Sequence, residues 1–113
     1  MENSPAHEWL TFAQVSEQLG LSPSQLRRLV EDRALLAKRR DGQWLIPDVF
    51  IQEGAPLNHL AGTATLLIDG GFSEEGALVW LLEDNDALGV SPAVALSQGR
   101  KTEVRRIAQA LAL

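Results

Sequence analysis

Two helix-start signals, joined by a very short turn, constrain this fold more than any other feature of the sequence. Thr11 is followed three positions later by Gln14, and Ser22 is followed three positions later by Gln25. This spacing is typical of a capping box, in which a hydroxyl accepts from one backbone amide and a glutamine side chain accepts from another. Gly20 lies between the two signals and supplies the left-handed conformation that ends a helix. The sequence therefore predicts a helix-turn-helix near its N-terminus.

The second helix, predicted over Ser22 to Asp32, presents a polar surface away from its core. Its apolar stripe consists of Leu26, Leu29 and Val30. The side chains turned outward are Ser24 and Arg28, flanked by Gln25 and Arg27. Arginine can bind guanine and glutamine can bind adenine, each with two hydrogen bonds, and the helix N-terminus at Ser22 suits a phosphate. We expect Glu31 and Asp32, at the far end, to stay clear of a DNA backbone. Any solvated helix face carries similar residues, and the second helix taken alone favours a solvated face over a DNA-contacting one.

A β-hairpin is predicted next, over Leu36 to Ile46. The dipeptide Asp41-Gly42 separates two extended runs, and it fits a type I′ turn, which needs positive φ at both central positions. We expect a two-stranded hairpin that packs on the helices, because an isolated hairpin is only marginally stable. The residues expected to make that contact are Leu36, Leu45 and one face of Trp44.

Three consecutive cations, Lys38, Arg39 and Arg40, precede the hairpin turn. Side chains alternate between the two faces of a strand, so the three cannot all point to one side. A wing accounts for them, since the hairpin beyond a recognition helix contacts phosphates of the adjacent groove, with Gln43 and Trp44 on the returning strand. The alternative is an edge strand that its charges protect from aggregation. Trp44 is expected in the DNA-contacting surface, and the alternatives are a core or domain-interface position and a role in supporting the wing from behind.

The charge of the chain is unevenly distributed. Its formal net charge is -5, yet residues 25–44 hold six of the ten Lys and Arg against three acids. Residues 69–86 hold six acids and no base. A local positive field can bind a polyanion while the acidic remainder discourages nonspecific association. The overall acidity therefore weakens a nucleic-acid interpretation without excluding it.

The rest of the chain is predicted to be helical. One helical turn over 48–51 leads to a hinge at Gly54-Ala55-Pro56, and helices follow from about Asn58, Ser73, Ser91 and Lys101. Helices this short must share a core with one another or with a second subunit. The predicted fold is mainly α with a small β-hairpin: a winged helix-turn-helix over 8–53, then a compact helical C-terminal domain over 57–113.

Several functional classes find no support in the sequence. There is no Cys, and His7 and His59 do not form a recognisable zinc pattern, so we expect no metal and no cofactor. No apolar run approaches the length of a membrane span, which favours a cytoplasmic protein without membrane contact. No Ser or Thr has a plausible His partner, and Glu74 and Glu75 fit the first turn of a helix, where they offset its dipole. We therefore expect a protein that is not an enzyme.

Residues 9–51 resemble the excisionase and MerR type of winged helix-turn-helix. The resemblance rests on the Leu-Thr opening, the run Val-Ser-Glu-Gln-Leu-Gly-Leu-Ser, the Leu-Arg-Arg of the second helix and the Arg-x-Gly-x-Trp-x-Ile-Pro of the hairpin. The whole chain is similar to a small actinobacterial family of DNA-binding proteins, with Asp69-Gly70-Gly71-Phe72 and Glu103-Val104-Arg105-Arg106 in matching places. The resemblance implies a DNA-binding regulator whose contacts are Ser24, Gln25, Arg27, Arg28, Lys38, Arg39, Arg40 and Gln43.

The C-terminal half leaves alternatives open. It sustains no heptads and has no Cys-rich loop, so neither the long coiled coil nor the effector sensing of MerR activators carries over. Residues 80–111 are also similar to the helical toxin-binding region of some antitoxins. The expected partner is double-stranded DNA, with a homodimer through the C-terminal helices or a separate protein partner as further expectations. An antitoxin-like adaptor and an excisionase-like recombination factor are the alternatives to a transcriptional regulator.

Overall fold

The computed structural model describes residues 8–111, so His7 and the last two residues of the predicted C-terminal domain lie outside the described part. The N-terminal half contains β1 (Trp9–Thr11), α1 (Phe12–Leu19), α2 (Pro23–Glu31), β2 (Lys38–Arg40), β3 (Gln43–Pro47), a 3₁₀ turn (Asp48–Phe50), β4 (Ile51–Gln52) and β5 (Ala55–Pro56). The C-terminal half contains α3 (Leu60–Asp69), α4 (Glu74–Leu82), α5 (Pro92–Ser97) and α6 (Lys101–Leu111). The predicted fold class, a winged helix-turn-helix with a helical C-terminal part, is confirmed.

Both predicted capping boxes are present and fix the starts of α1 and α2. The Thr11 hydroxyl accepts from the Gln14 amide at 3.1 Å, and the Gln14 side chain accepts from the Thr11 amide at 2.8 Å. Ser22 and Gln25 repeat the exchange at 3.2 and 2.9 Å. Gly20 ends α1 with φ 67°, in the left-handed region that glycine favours. The turn between the helices thus follows directly from local sequence.

The hairpin belongs to a three-stranded antiparallel sheet with the order β1-β3-β2. Asp41 and Gly42 have φ 53° and 78°, as the predicted type I′ turn requires. The strand β1 was not predicted, because three residues directly before a helix cap show no strand periodicity. Its central residue Leu10 pairs with Ile46, and both are buried in the core. Ile46 packs the sheet onto the helices together with the expected Leu36, and the expected Trp44 contacts Phe12 of α1. Leu45 is half-buried and is not part of that cluster.

The predicted hinge at Gly54-Ala55-Pro56 is instead the second half of a short hairpin. Strands β4 and β5 pair antiparallel around Glu53 and Gly54, which have φ 55° and 76°. The Leu57 amide then donates to the Phe50 carbonyl at 2.8 Å, which closes this segment onto the 3₁₀ turn. Strands of two residues carry no alternation of apolar and polar residues, so sequence periodicity could not reveal them.

A continuous apolar core runs from the sheet into the C-terminal helices. Phe50, Leu57 and Leu60 are buried in the same cluster as residues of α1, α2 and α4–α6. On the surface, the Arg33 guanidinium contacts the Glu74 carboxylate at 2.8 Å and links the end of α2 to the start of α4. Among residues 8–111, no helix is long and apolar enough to span a bilayer.

Candidate nucleic-acid interface

An open cleft of about 640 Å³ separates α2 from the hairpin formed by β2 and β3. The start of α1 forms its floor, and the two predicted DNA-contacting elements form its sides. The residues that line the cleft are Thr11, Phe12, Ala13, Arg27, Glu31, Arg39, Gly42, Gln43 and Trp44. Four of the predicted site residues, Arg27, Arg39, Gln43 and Trp44, are therefore brought together from two elements of the chain.

The strand register divides the three consecutive cations between the two faces of the hairpin. Lys38 lies opposite Leu45, Arg39 opposite Trp44 and Arg40 opposite Gln43. Directly opposed residues of an antiparallel pair share a face, and neighbours along a strand alternate. Arg39 and Trp44 therefore share one face and line the cleft, while Lys38 and Arg40 lie on the other face together with Gln43, which borders the cleft next to the turn residue Gly42. The hairpin presents positive charge on both sides.

Aromatic side chains hold the hairpin from both faces. The rings of Phe12 and Trp44 meet edge to face, with centroids 5.7 Å apart and planes at 67°. On the opposite face, the Lys38 ammonium lies 5.6 Å from the centroid of the Trp9 ring. Edge-to-face pairs and cation–π contacts are each weakly stabilising. Trp44 thus supports the hairpin against the start of α1 while also lining the cleft.

The guanidinium groups near the cleft have no carboxylate partners among the described residues. Arg27, Arg28, Arg39 and Arg40 are exposed, and none of them forms an ion pair within residues 8–111. Arg33 differs, because it contacts Glu74 and so does not contribute to the same surface. The positive charge predicted from residues 25–44 is therefore available to an incoming anion at four arginines and at Lys38.

Two predicted site residues are engaged in helix capping. The side chains of Ser22 and Gln25 bond to each other's backbone amides at the start of α2. Because the Gln25 side-chain oxygen already accepts one hydrogen bond there, a two-bond contact from Gln25 to adenine must use the second lone pair of that oxygen or replace the cap bond. Ser24 and Arg28 are exposed one turn apart on α2, and neither lines the cleft. Their outward positions agree with the helical geometry expected from the sequence.

Glu31 lines the cleft one turn beyond Arg27, a position that the sequence did not predict. That Glu31 stays clear of a DNA backbone remains a prediction. The spacing of four residues between Arg27 and Glu31 puts both on one helix face and was a usable signal. The position of the hairpin across from that face depends on tertiary packing, which the spacing does not reveal.

Within residues 8–111, no group of three or more His, Asp or Glu side chains is arranged to hold a metal ion.

Comparison with known proteins agrees with this architecture over nearly the whole chain. Residues 4–51 match the family described as "DNA-binding protein Rv2175c, wHTH domain", and residues 57–112 match "Rv2175c C-terminal domain of unknown function". The chain is 32% identical over 111 residues to "DNA-binding protein Rv2175c" of Mycobacterium tuberculosis (strain ATCC 25618 / H37Rv), covering 87% of this chain and 76% of the relative. The structure is similar to one titled "NMR structure of Rv2175c", with TM-score 0.84, 28% identity and coverage of 100% of this chain and 86% of that one. The chain therefore belongs to the Rv2175c family.

Proposed function

We propose that this protein is a sequence-specific binder of double-stranded DNA that acts as a transcriptional regulator in the cytoplasm. Residues 8–53 bind the duplex, with α2 in the major groove and the β2–β3 hairpin against the phosphates. Residues 57–113 form a helical domain, and no catalytic step is involved. The observation that carries the proposal is the cleft lined by both Arg27 of α2 and Arg39 of the hairpin, neither of which forms an ion pair among residues 8–111. The name of the relative from M. tuberculosis supports the same partner.

The exposed side chains of α2 and of the hairpin suit contacts with different parts of the DNA. Arg28 and Ser24 project from the outer face of α2 and are the candidates for contacts with base edges. The amides at the start of α2, beside Ser22, suit a phosphate because the helix dipole is positive there. Since the hairpin carries cations on both faces, we propose that its tip lies between two lines of phosphates and does not rest flat on one.

Binding should depend strongly on salt. If about four to six cations each neutralise one phosphate, the plot of log affinity against log salt has a slope of roughly -0.9 per contact. Fluorescence anisotropy with a labelled random-sequence duplex, at several salt concentrations, measures this slope. A slope near zero, or no binding at low salt, contradicts the proposal.

A single short recognition helix reads few base pairs, so useful specificity calls for more than one copy on the DNA. We propose that two copies occupy half-sites about 10 base pairs apart, with the C-terminal helices as the assembling surface. Footprinting on a selected site tests this through the number and spacing of protected segments.

An excisionase-like role differs by bending the duplex, which circular-permutation gel shifts detect.

A second candidate function is protein binding by the C-terminal half. Val79 and Leu111 are the exposed large apolar side chains of the described residues, each 43% exposed, and acids cluster around the helix that carries Val79. An adaptor or antitoxin-like protein would use such a surface for another polypeptide. Stoichiometric capture of one protein by the full chain, with loss of capture by Val79→Asp and no measurable duplex binding, favours this candidate over DNA recognition.

A further inference from the structure

Glu31 contributes a carboxylate to a cleft whose other charged side chains are cationic. The charged residues that line the cleft are Arg27, Arg39 and Glu31. Glu31 is exposed at the end of α2, and within residues 8–111 it forms no ion pair with either arginine. No hydrogen-bonded ion pair therefore occupies the Glu31 carboxylate among residues 8–111. Glu31 is therefore available to a ligand that enters the cleft.

The two kinds of group that DNA offers act on this carboxylate in opposite ways. A phosphate is repelled by a carboxylate, so Glu31 opposes the sequence-independent attraction that Arg27 and Arg39 exert. The exocyclic amino group of a base, in contrast, donates a hydrogen bond that a carboxylate accepts, as with cytosine N4 in the major groove. Glu31 thus discriminates between DNA held only by its backbone and DNA that presents an amino group at the right position.

We propose that Glu31 is a specificity-determining residue that accepts a hydrogen bond from a base amino group, cytosine in particular, and weakens binding to other sequences. This inference rests on the proposed function, since it assumes that duplex DNA enters the cleft with α2 in the major groove. Arg27 and Arg39 hold the backbone on either side, and the carboxylate sets which base is tolerated between them.

Asp32 provides a matched control one residue further along the chain. It is also exposed and acidic, but it caps the C-terminus of α2 and does not line the cleft. Glu31→Ala and Asp32→Ala remove the same charge from the same end of the same helix. An effect of overall charge appears in both variants, whereas an effect of position in the cleft appears only in Glu31→Ala.

The test uses the full chain and two measurements of DNA binding. For a random-sequence duplex, Glu31→Ala should raise affinity by about two- to fivefold, the size expected for removing one exposed like-charge contact. Asp32→Ala should change that affinity by less than about twofold, because its charge lies outside the cleft. Selection of bound duplexes from a random pool should show a cytosine preference at one position for the wild type and Asp32→Ala. Glu31→Ala should lose that preference and keep the others.

The outcomes separate this inference from the function on which it rests. If the wild type binds duplex DNA and the two variants behave alike, or if Glu31→Ala keeps every base preference, the role of Glu31 is overturned while DNA binding stands. If the wild type does not bind duplex DNA at low salt, the proposed function and this inference both fall. Trp fluorescence and circular dichroism of each variant confirm that the fold is retained.

Discussion

At the scale of single residues, Arg27 and Arg28 are neighbours in sequence with different surroundings. Arg27 lines the cleft between α2 and the hairpin, while Arg28 is exposed outside it. In the proposed complex the cleft arginines approach the DNA backbone from two sides, and a side chain on the outer face of α2 approaches base edges. The two arginines should therefore differ in what they contribute to binding.

Replacement of Arg28 by Ala should lower discrimination between sequences more than it lowers overall attraction to DNA. A two-bond contact from arginine to guanine contributes about 1–3 kcal/mol of discrimination. Competition between a selected duplex and a random duplex measures the ratio of affinities. Arg105→Ala, which removes an exposed arginine from α6, is the matched control. Equal losses on both duplexes would exclude base recognition by Arg28.

Replacing two glycines with alanine, one at a time, should change the free energy of unfolding in opposite directions. Gly42 has φ 78° in the hairpin turn, so Gly42→Ala forces a left-handed alanine and should lower the free energy of unfolding by about 1 kcal/mol. Gly62 lies inside α3, where an added Cβ meets the Arg105 guanidinium at an ordinary 3.6 Å. Gly62→Ala should raise the free energy of unfolding by about 0.5–1 kcal/mol. Urea denaturation measures both free energies of unfolding. A change of the same sign in the two variants would contradict the explanation by backbone conformation.

At the scale of elements, short-range signals were sufficient to predict the helices, but not the small strands or how the elements pack. Both capping boxes and the Asp41-Gly42 turn act through neighbours in sequence, so the residues that form them specify the structure. The strand β1 becomes a strand only because β3 lies beside it. Glu31 lines the cleft only because the hairpin packs on α1 and so lies across a gap from α2, an arrangement that no local pattern encodes. Long-range packing explains what sequence reasoning missed.

The loop between α4 and α5 is tied to α6 by Arg100. Its guanidinium donates to the Leu88 carbonyl at 3.0 Å and to both carboxylate oxygens of Glu103, each at 3.0 Å. The hydrogen bonds from Arg100 lower the pKa of Glu103. A lowered pKa in the folded state stabilises the fold above the ordinary range of a glutamate, and that stabilisation is lost as the pH falls through the folded-state pKa.

Glu103→Gln should therefore reduce stability at neutral pH and have little effect in acid. The difference in free energy of unfolding between wild type and variant should shrink as the pH falls below the ordinary range of a glutamate and through the lowered folded-state pKa, because the wild-type carboxylate then becomes protonated as well. Urea denaturation at a series of pH values measures the difference. A difference that does not vary with pH would show that the charge on Glu103 is not what matters.

At the scale of the whole molecule, an acidic chain presents a locally basic surface around the cleft. The net charge of -5 arises from acids concentrated in residues 69–86, whereas the cations around the cleft belong to α2 and the β2–β3 hairpin. The continuous core holds these regions in one fold. Because screening limits exposed charges to a range of about 8–10 Å, the local cations decide how an anion is attracted.

The salt dependence of DNA binding by two triple variants tests most directly whether the β2–β3 hairpin holds DNA. One variant replaces Lys38, Arg39 and Arg40 with Ala, and the other replaces Lys101, Arg105 and Arg106 with Ala, so both lose the same charge. Anisotropy titrations with a random duplex give the slope of log affinity against log salt. The hairpin variant should flatten the slope by about two to three units, at roughly 0.9 per lost phosphate contact, while the α6 variant keeps the wild-type slope. Equal slopes in the two variants would contradict the claim that the hairpin holds DNA.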